Sequence, residues 1–170
     1  MSFADGMTME PATEQLELLY RETGPGLLAY FRRRPALAGA AEDLLQDTFV
    51  RALRHPDRLA AAVSPRAYLF GIARHVSLDA LRRNHPTEAL AGTETVPAER
   101  DDARLGPMRE AIAALPDAQR EALQLKLHHE LSYAEIAEVL GIPVGTVRSR
   151  LHHAVLQLRA TLQPPTPGSP

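Results

Sequence analysis

Apolar residues recur every three or four positions along most of this chain, which is the spacing of one face of an α-helix. One such block covers residues 12–84, and a second covers residues 107–163. No stretch shows the sustained alternation of β-branched and polar residues that is typical of strands. The pattern therefore predicts an all-α chain of two small helical domains joined by a flexible linker.

Glycine and proline divide the first block into three predicted helices. The first carries its apolar face to residue 31, and the Gly-Pro-Gly run at 24–26 is expected to bend or break it. The second covers residues 41–54. A loop from His55 to Ser64 is expected to follow it.

The third predicted helix has a clear beginning in the sequence. Ser64 is suited to be its N-cap, and Pro65 is suited to its first helical position. An apolar face then continues to about Asn84.

Two segments lack this periodicity. Residues 85–106 hold five acidic residues against two arginines, with prolines and a threonine cluster, which predicts an acidic linker. The tail, residues 164–170, is predicted to be disordered.

The end of the second block predicts a helix-turn-helix. The residues at 132–135, Ser-Tyr-Ala-Glu, match a capping box, and Gly141 and Pro143 then separate two helices by a short turn. The final helix, 145–162, carries one apolar stripe, and its other face is polar or basic near its N-terminal half, where a recognition helix enters the major groove. That polar face consists of Thr146, Arg148, Ser149, Arg150, His152 and His153. The alternative is an amphipathic helix with a solvated basic face.

Composition narrows the function classes. The 170 residues are 45% hydrophobic and 24% charged, as expected of a globular protein. Cysteine is absent, which excludes disulfides, thiolate metal sites and a cysteine nucleophile. The net charge of −2 is unusual for a nucleic-acid binder, but residues 145–162 contain no acid. With neither a secretory signal nor a membrane span in the sequence, we expect a cytoplasmic protein without membrane insertion.

Several motifs together resemble one known family. The run LSYAEIAEVLGIPVGTVRSRL at 131–151, with LP and QREAL between 115 and 123, resembles the fourth conserved region of bacterial sigma factors. AEDLLQDTF at 41–49 resembles the core-binding helix of their second region, and AYLFGIARH with LDALRR, within 67–83, resembles its promoter-melting helix. Two such blocks without further regions resemble the extracytoplasmic-function sigma factors.

The resemblance implies a function and partners. The protein would bind core RNA polymerase on the clamp helices of its largest subunit, direct it to promoter DNA and help to open the DNA, and it would not be an enzyme. No cofactor is implied. An anti-sigma factor would hold the protein in check, and the acidic linker would let the domains close on that partner and open on polymerase.

The resemblance also implies residue roles. Core binding would fall to Asp43, Leu44, Gln46, Asp47 and Phe49, although the acids among them also fit an ordinary solvated helix face. Contacts to the minus-ten element would come from Arg58, Arg66, Tyr68, Arg74 and His75, with Tyr68 equally plausible as a core residue. Contacts to the minus-thirty-five element would come from Lys126, Thr146, Arg148, Ser149, Arg150, His152 and His153.

Other readings stay open or are disfavoured. The histidine pairs at 128–129 and 152–153 do not predict a metal site, because adjacent helical residues do not converge on one point and zinc needs three or four ligands. A stand-alone helix-turn-helix regulator that never binds polymerase is the main alternative. A sigma mimic that sequesters an anti-sigma factor, and a small helical enzyme, are weaker ones, since neither a receiver domain nor a catalytic constellation is recognisable.

Overall fold

The structure, a computed structural model, describes residues 10–84 and 105–163, with side chains from residue 17 onward. Those residues form eight α-helices and one short 3-10 turn, Ala38–Ala40, with no strand among them, which confirms the all-α prediction for the described part. The first four helices are α1 (Glu10–Arg32), α2 (Ala41–Leu53), α3 (Pro56–Ala61) and α4 (Pro65–Asn84). The last four are α5 (Gly106–Ala113), α6 (Asp117–His129), α7 (Tyr133–Leu140) and α8 (Val144–Leu162).

Helix α1 continues through Pro25 without the break that was one of the two outcomes expected there. A proline inside a helix removes one backbone hydrogen bond and costs about 3 kcal/mol. The turns that follow carry Leu27, Tyr30 and Phe31, whose side chains are at most 1% exposed. Burial of these three large side chains offsets the cost of the proline.

The predicted loop between α2 and α4 contains a short helix that the sequence did not predict. Residues Pro56–Ala61 form α3, with Pro56 in the first turn. The predicted start of α4 is confirmed, because the amide of Ala67 donates to Ser64 Oγ at 3.0 Å. Ser64 therefore caps α4.

The turn between α7 and α8 has the geometry that its sequence predicts. Ser132 and Glu135 form the predicted capping box, with each side chain bonded to the backbone of the other. Gly141 ends α7 at φ 65°, where a side chain is disfavoured, and the amide of Ile142 donates to the carbonyl of Ala137 at 3.0 Å. This closed turn fixes the direction in which α8 leaves α7.

Two details of the second block differ from expectation. Pro116, which as a proline is suited to a first helical position, lies instead just before α6 as its N-cap residue. Val155, which falls at the helical spacing of the apolar stripe of α8, is 39% exposed, whereas Val147, Leu151 and Ala154 are buried.

One apolar core runs through both blocks. Rings of Tyr30 and Phe70 from the first block meet edge to face at 5.7 Å, and the ring of His129 lies 4.9 Å from that of Phe70. Gly71 of α4 lies against α7, since a Cβ added there would stand 3.9 Å from Cα of Val139. The two blocks are therefore packed together along α4 and α7.

Parts of the predicted organisation fall outside the described residues. These are residues 85–104 of the acidic linker and the tail at 164–170. Because α5 begins at Gly106, the last linker positions belong to the second helical block. Within the described ranges, no helix is both long and apolar enough to cross a bilayer.

Candidate nucleic-acid interface

Helix α8 presents the polar face that the sequence predicted. Its buried stripe packs against α5, α6 and α7, so the opposite side faces outward. Arg148, Ser149, His152 and His153 are exposed there, while Thr146 and Arg150 are half-buried. With no acidic residue anywhere in α8, this face is suited to contact DNA phosphates and base edges.

Lys126 lies in α6 and already has an internal partner. Its Nζ donates to the carbonyl of Leu131 at 3.1 Å and stands 5.6 Å from the ring centroid of Tyr133. The side chain therefore joins the end of α6 to the beginning of α7. Its contact with the minus-thirty-five element stays a prediction.

Three of the predicted minus-ten residues line one open cleft. Arg58 of α3 and Tyr68 and His75 of α4 lie along a cleft of about 700 Å³ between α2, α3 and α4. The Nδ1 atom of His75 is 2.8 Å from the carbonyl oxygen of Gly71, and Tyr68 is half-buried. Glu138 of α7 also lines this cleft, so the second block contributes a carboxylate near Arg58, in addition to Asp47 and Asp79 of the first block.

The other two predicted minus-ten residues point at the second block. Arg74 donates from Nε and Nη2 to the two carboxylate oxygens of Glu121, at 2.6 and 3.2 Å. The hydrogen bond to Glu121 raises the pKa of the Arg74 guanidinium above its ordinary value, against the opposing effect of burial. Arg66 donates to the backbone carbonyl of His129.

The predicted core-binding residues divide between the surface and the core. Asp43 and Gln46 of α2 are exposed, as docking requires. Leu44 and Phe49 are 9% and 6% exposed, and Phe49 packs on the ring of Tyr20 at 4.9 Å. In this conformation these two side chains hold α2 in place and are not surface contacts.

Asp47, the remaining core-binding candidate, belongs to an ion-pair network between α2 and α4. Its carboxylate accepts from Arg51 at 3.0 and 3.1 Å, and Arg51 also reaches Asp79 at 3.2 Å. The hydrogen bond to Asp47 raises the pKa of Arg51, while hydrogen bonds from Arg82 and then Arg51 lower the pKa of Asp79 despite its partial burial. Asp47 is therefore oriented by its neighbours while it stays half-exposed.

Two groups of residues near the proposed surfaces were not predicted from the sequence. Val50 and Leu53, 48% and 50% exposed, lie on the outer side of α2, where apolar residues one turn apart among polar ones were the available signal. The carboxylates of α6 and α7 that contact the first block gave no such signal, because nothing in their spacing relates them to α4. These are Glu121, Glu135 and Glu138.

A metal centre finds no support in this part of the molecule. Over residues 10–84 and 105–163, no group of three or more histidine or acidic side chains is arranged to hold an ion. The rings of His152 and His153 are 5.8 Å apart and exposed, while His129 is buried.

Comparison with known proteins gives the family. A Sigma-70 region 2 model matches residues 19–87, and a Sigma-70, region 4 model matches residues 105–158. The ECF RNA polymerase sigma factor SigL of Mycobacterium tuberculosis is 36% identical over 158 residues, which cover 87% of this chain and 89% of the relative. The RNA polymerase sigma factor YlaC of Bacillus subtilis is 32% identical over 160 residues, with coverage of 88% and 92%.

A solved structure agrees with these relatives. The sigma factor RpoE from Bartonella quintana, in complex with the anti-sigma factor NepR, superposes with a TM-score of 0.60 at 26% identity, covering 92% of this chain and 99% of that one. Family models on both helical blocks and relatives matched over nearly their whole length do not fit a helix-turn-helix regulator of another family. The chain therefore belongs to the extracytoplasmic-function family of RNA polymerase sigma factors.

Proposed function

We propose that this sigma factor contacts promoter DNA through two separate surfaces and polymerase through a third. Helix α8 reads the minus-thirty-five element, the cleft beside α4 takes the minus-ten element, and α2 docks on the clamp helices of the largest polymerase subunit. The exposed, acid-free face of α8 is the single observation that carries the proposal. Its arginines can bond guanine edges, and its histidines and Ser149 can reach phosphates or bases.

The assignment of α2 rests on its exposed side. Asp43 and Gln46 provide polar contacts that would align α2 on the polymerase subunit. Val50 and Leu53 provide apolar surface that stays exposed within the described chain. Buried apolar anchors ringed by polar residues are the usual arrangement of tight interfaces. We therefore add Val50 and Leu53 to the core-binding residues.

The minus-ten assignment rests on charge and on the shape of the cleft. Arg58 and His75 flank a cavity that is large enough for an unpaired base, with the Tyr68 ring on its wall. Single strands bind where a positive track runs beside such platforms. Arg66 and Arg74 lie on the same helix and would extend this track when released from the His129 carbonyl and from Glu121.

The work of this protein is binding and not catalysis, and it takes place in the cytoplasm, where core polymerase is. We also propose that an anti-sigma factor controls it. The structural relative from Bartonella quintana was solved with such a partner, and the match covers both helical blocks of this chain. Control by a partner that binds both blocks would keep the chain from polymerase until it is needed.

The first step of the test is to identify the promoters from which the overexpressed protein initiates transcription. Transcripts sequenced after overexpression give start sites, and transcription is then reconstituted on those promoters with purified core polymerase and purified chain. We expect initiation only when both are present. Binding to DNA without binding to core polymerase would contradict the proposal and favour the stand-alone regulator.

A further inference from the structure

The cleft proposed for the minus-ten strand has carboxylates on its wall. Asp47 of α2 and Asp79 of α4 line it, and Arg51 of α2 lies between them. The phosphates of a nucleic acid are negatively charged, so an unpaired carboxylate at this place would repel the strand. A cleft that accepts DNA therefore needs the charge of both aspartates to be offset.

Arg51 contacts both aspartates at once. Its Nε donates to Asp47 Oδ1 at 3.1 Å, and its Nη2 lies 3.0 Å from Asp47 Oδ2, so this pair is bidentate. Its Nη1 donates to Asp79 Oδ2 at 3.2 Å. The remaining oxygen, Asp79 Oδ1, accepts from Arg82. Each carboxylate oxygen of the two aspartates thus has a cationic partner.

The planar guanidinium is what makes this arrangement possible. Its N–H groups form a rigid fork that can hold one carboxylate along an edge and reach a second carboxylate from the neighbouring nitrogen, which a lysine ammonium cannot do with fixed geometry. The side chains of Arg51, Asp47 and Asp79 are 35–39% exposed. Charges at such positions act on a strand in the cleft, because salt screens them only over about 8 Å.

The offset of the two aspartates leaves positive charge in the cleft. Arg54 and Arg58 also line it, and within the part of the chain with described side chains neither guanidinium has a partner. They stand against the one further carboxylate of the lining, Glu138. The Arg51 network lies entirely on α2 and α4, so its geometry does not depend on α5 to α8.

We propose that Arg51 is a positioning residue for promoter binding: it holds Asp47 and Asp79 together and neutralises them at the wall of the cleft, so that the cleft attracts the minus-ten strand. Arg51 does this without contacting DNA, since one edge of its guanidinium is taken by Asp47 and its Nη1 by Asp79. The inference rests on the proposed minus-ten role of the cleft.

Arg51→Gln is the first test. The purified complex of the chain with core polymerase is titrated with a fluorescein-labelled single strand that carries the minus-ten element of the promoters identified above. We expect the variant complex to bind this strand about tenfold more weakly than the parent complex. Arg21→Gln, at an exposed position of α1, removes the same charge away from the cleft and should bind as the parent does.

Rescue separates neutralisation from direct contact. Addition of Asp47→Asn and Asp79→Asn to Arg51→Gln should restore binding to within about twofold of the parent. Glu17→Gln and Glu22→Gln, exposed on α1, give the same net charge when added to Arg51→Gln and should not restore it. A loss that persists after the aspartates are neutralised would show that Arg51 contacts the strand itself, and equal restoration by both pairs would show a general charge effect. Either result would overturn the proposal.

Arg82→Gln is a second variant at a position that is 63% exposed, where a change of fold is not expected. It uncovers one oxygen of Asp79, so we expect about threefold weaker strand binding, reversed by Asp79→Asn. For both arginine variants, the difference from the parent should shrink as salt is raised, because screening weakens the repulsion. A difference that does not change with salt would indicate altered structure and contradict the inference.

The result for the parent complex distinguishes this inference from the proposed function. If the parent prefers the minus-ten strand over a scrambled strand while Arg51→Gln binds equally well, only the positioning role of Arg51 is wrong. If the parent complex shows no such preference, the proposed function itself is contradicted.

Discussion

The hydroxyl of Ser64 lies 2.6 Å from the carboxylate of Glu135, and this contact joins the N-terminus of α4 to the N-terminus of α7. Each residue also caps its own helix, since Ser64 accepts from Ala67 and Glu135 completes the capping box with Ser132. The ends of two helices from different blocks are therefore stabilised by one shared hydrogen bond.

Ser64→Ala should lower the free energy of unfolding by at least about 1 kcal/mol, because it removes an N-cap and the bond to Glu135 together. Urea denaturation followed by circular dichroism measures the change. Ser149→Ala, at an exposed position of α8, should leave the midpoint almost unchanged. An unchanged midpoint for Ser64→Ala would mean that neither bond contributes to stability.

Acid should destabilise the protein through Glu135. Burial raises the pKa of Glu135, but hydrogen bonds from Ser64 and Ser132 outweigh it, so the net pKa is below the ordinary 4.5. A carboxylate with a lowered folded-state pKa stabilises the fold above its unfolded pKa, and that stability is lost as the pH falls through the folded value. The free energy of unfolding should therefore decrease below about pH 4.5.

Glu135→Gln tests this pH dependence, because it removes the titrating group. We expect the variant to be less stable than the parent at neutral pH and to lose less stability on acidification, as measured by urea titrations at several pH values. Gln157→Ala, on the exposed side of α8, should show the same dependence of the unfolding free energy on pH as the parent. If Glu135→Gln shows the same pH dependence of stability as the parent, other carboxylates cause the acid sensitivity. Asp79 is the first candidate, because its pKa is also lowered.

Glu130→Gly should stabilise the protein by about 1 kcal/mol. Glu130 ends α6 at φ 52°, a left-handed conformation that strains any residue with a Cβ and is easy for glycine. Glu130→Ala keeps the Cβ and should bring no such gain. Thermal unfolding of both variants tests this prediction. A loss of stability in the glycine variant would indicate that the Glu130 side chain has a structural role.

Leu53→Ser should weaken binding to core polymerase about tenfold without unfolding the protein. The side chain is 50% exposed on α2, so its removal costs little within the chain but removes apolar area from the proposed interface. Fluorescence anisotropy with purified core polymerase gives the dissociation constant. Leu127→Ser, on α6 and 58% exposed, is the matched control and should bind as the parent does.

Arg148→Ala should reduce transcription that depends on the minus-thirty-five element. The expected factor corresponds to a loss of about 1–3 kcal/mol of binding free energy, which is typical of a lost bidentate base contact. Core binding should stay intact, since α2 is untouched. Arg159→Ala, in the last turn of the same helix, should have a smaller effect, because recognition helices contact bases through their N-terminal half. Equal losses for the two arginines would argue for a general electrostatic contribution of α8.

Local rules explain why much of this fold was predictable. Helical periodicity predicted most of the helices, and the capping box at Ser132 and the glycine at 141 fixed the helix-turn-helix, because their partners lie within a few residues. Resemblance over both blocks supplied the family. Pro25 shows the limit of such rules, since a residue that disfavours a helix locally is overruled by burial of Leu27 and Phe31 nearby.

By itself, the sequence determined the helical blocks, the polar face of α8 and the family, because each depends on residues that are near one another in the chain. Only the tertiary structure decided which candidates are buried, such as Phe49, and which cations already have partners. Arg74 and Glu121 are 47 positions apart, and no local pattern relates them. Contacts of that kind arise from how α4 packs against α6 and α7, and they hold two of the proposed minus-ten residues, Arg66 and Arg74, against the second block.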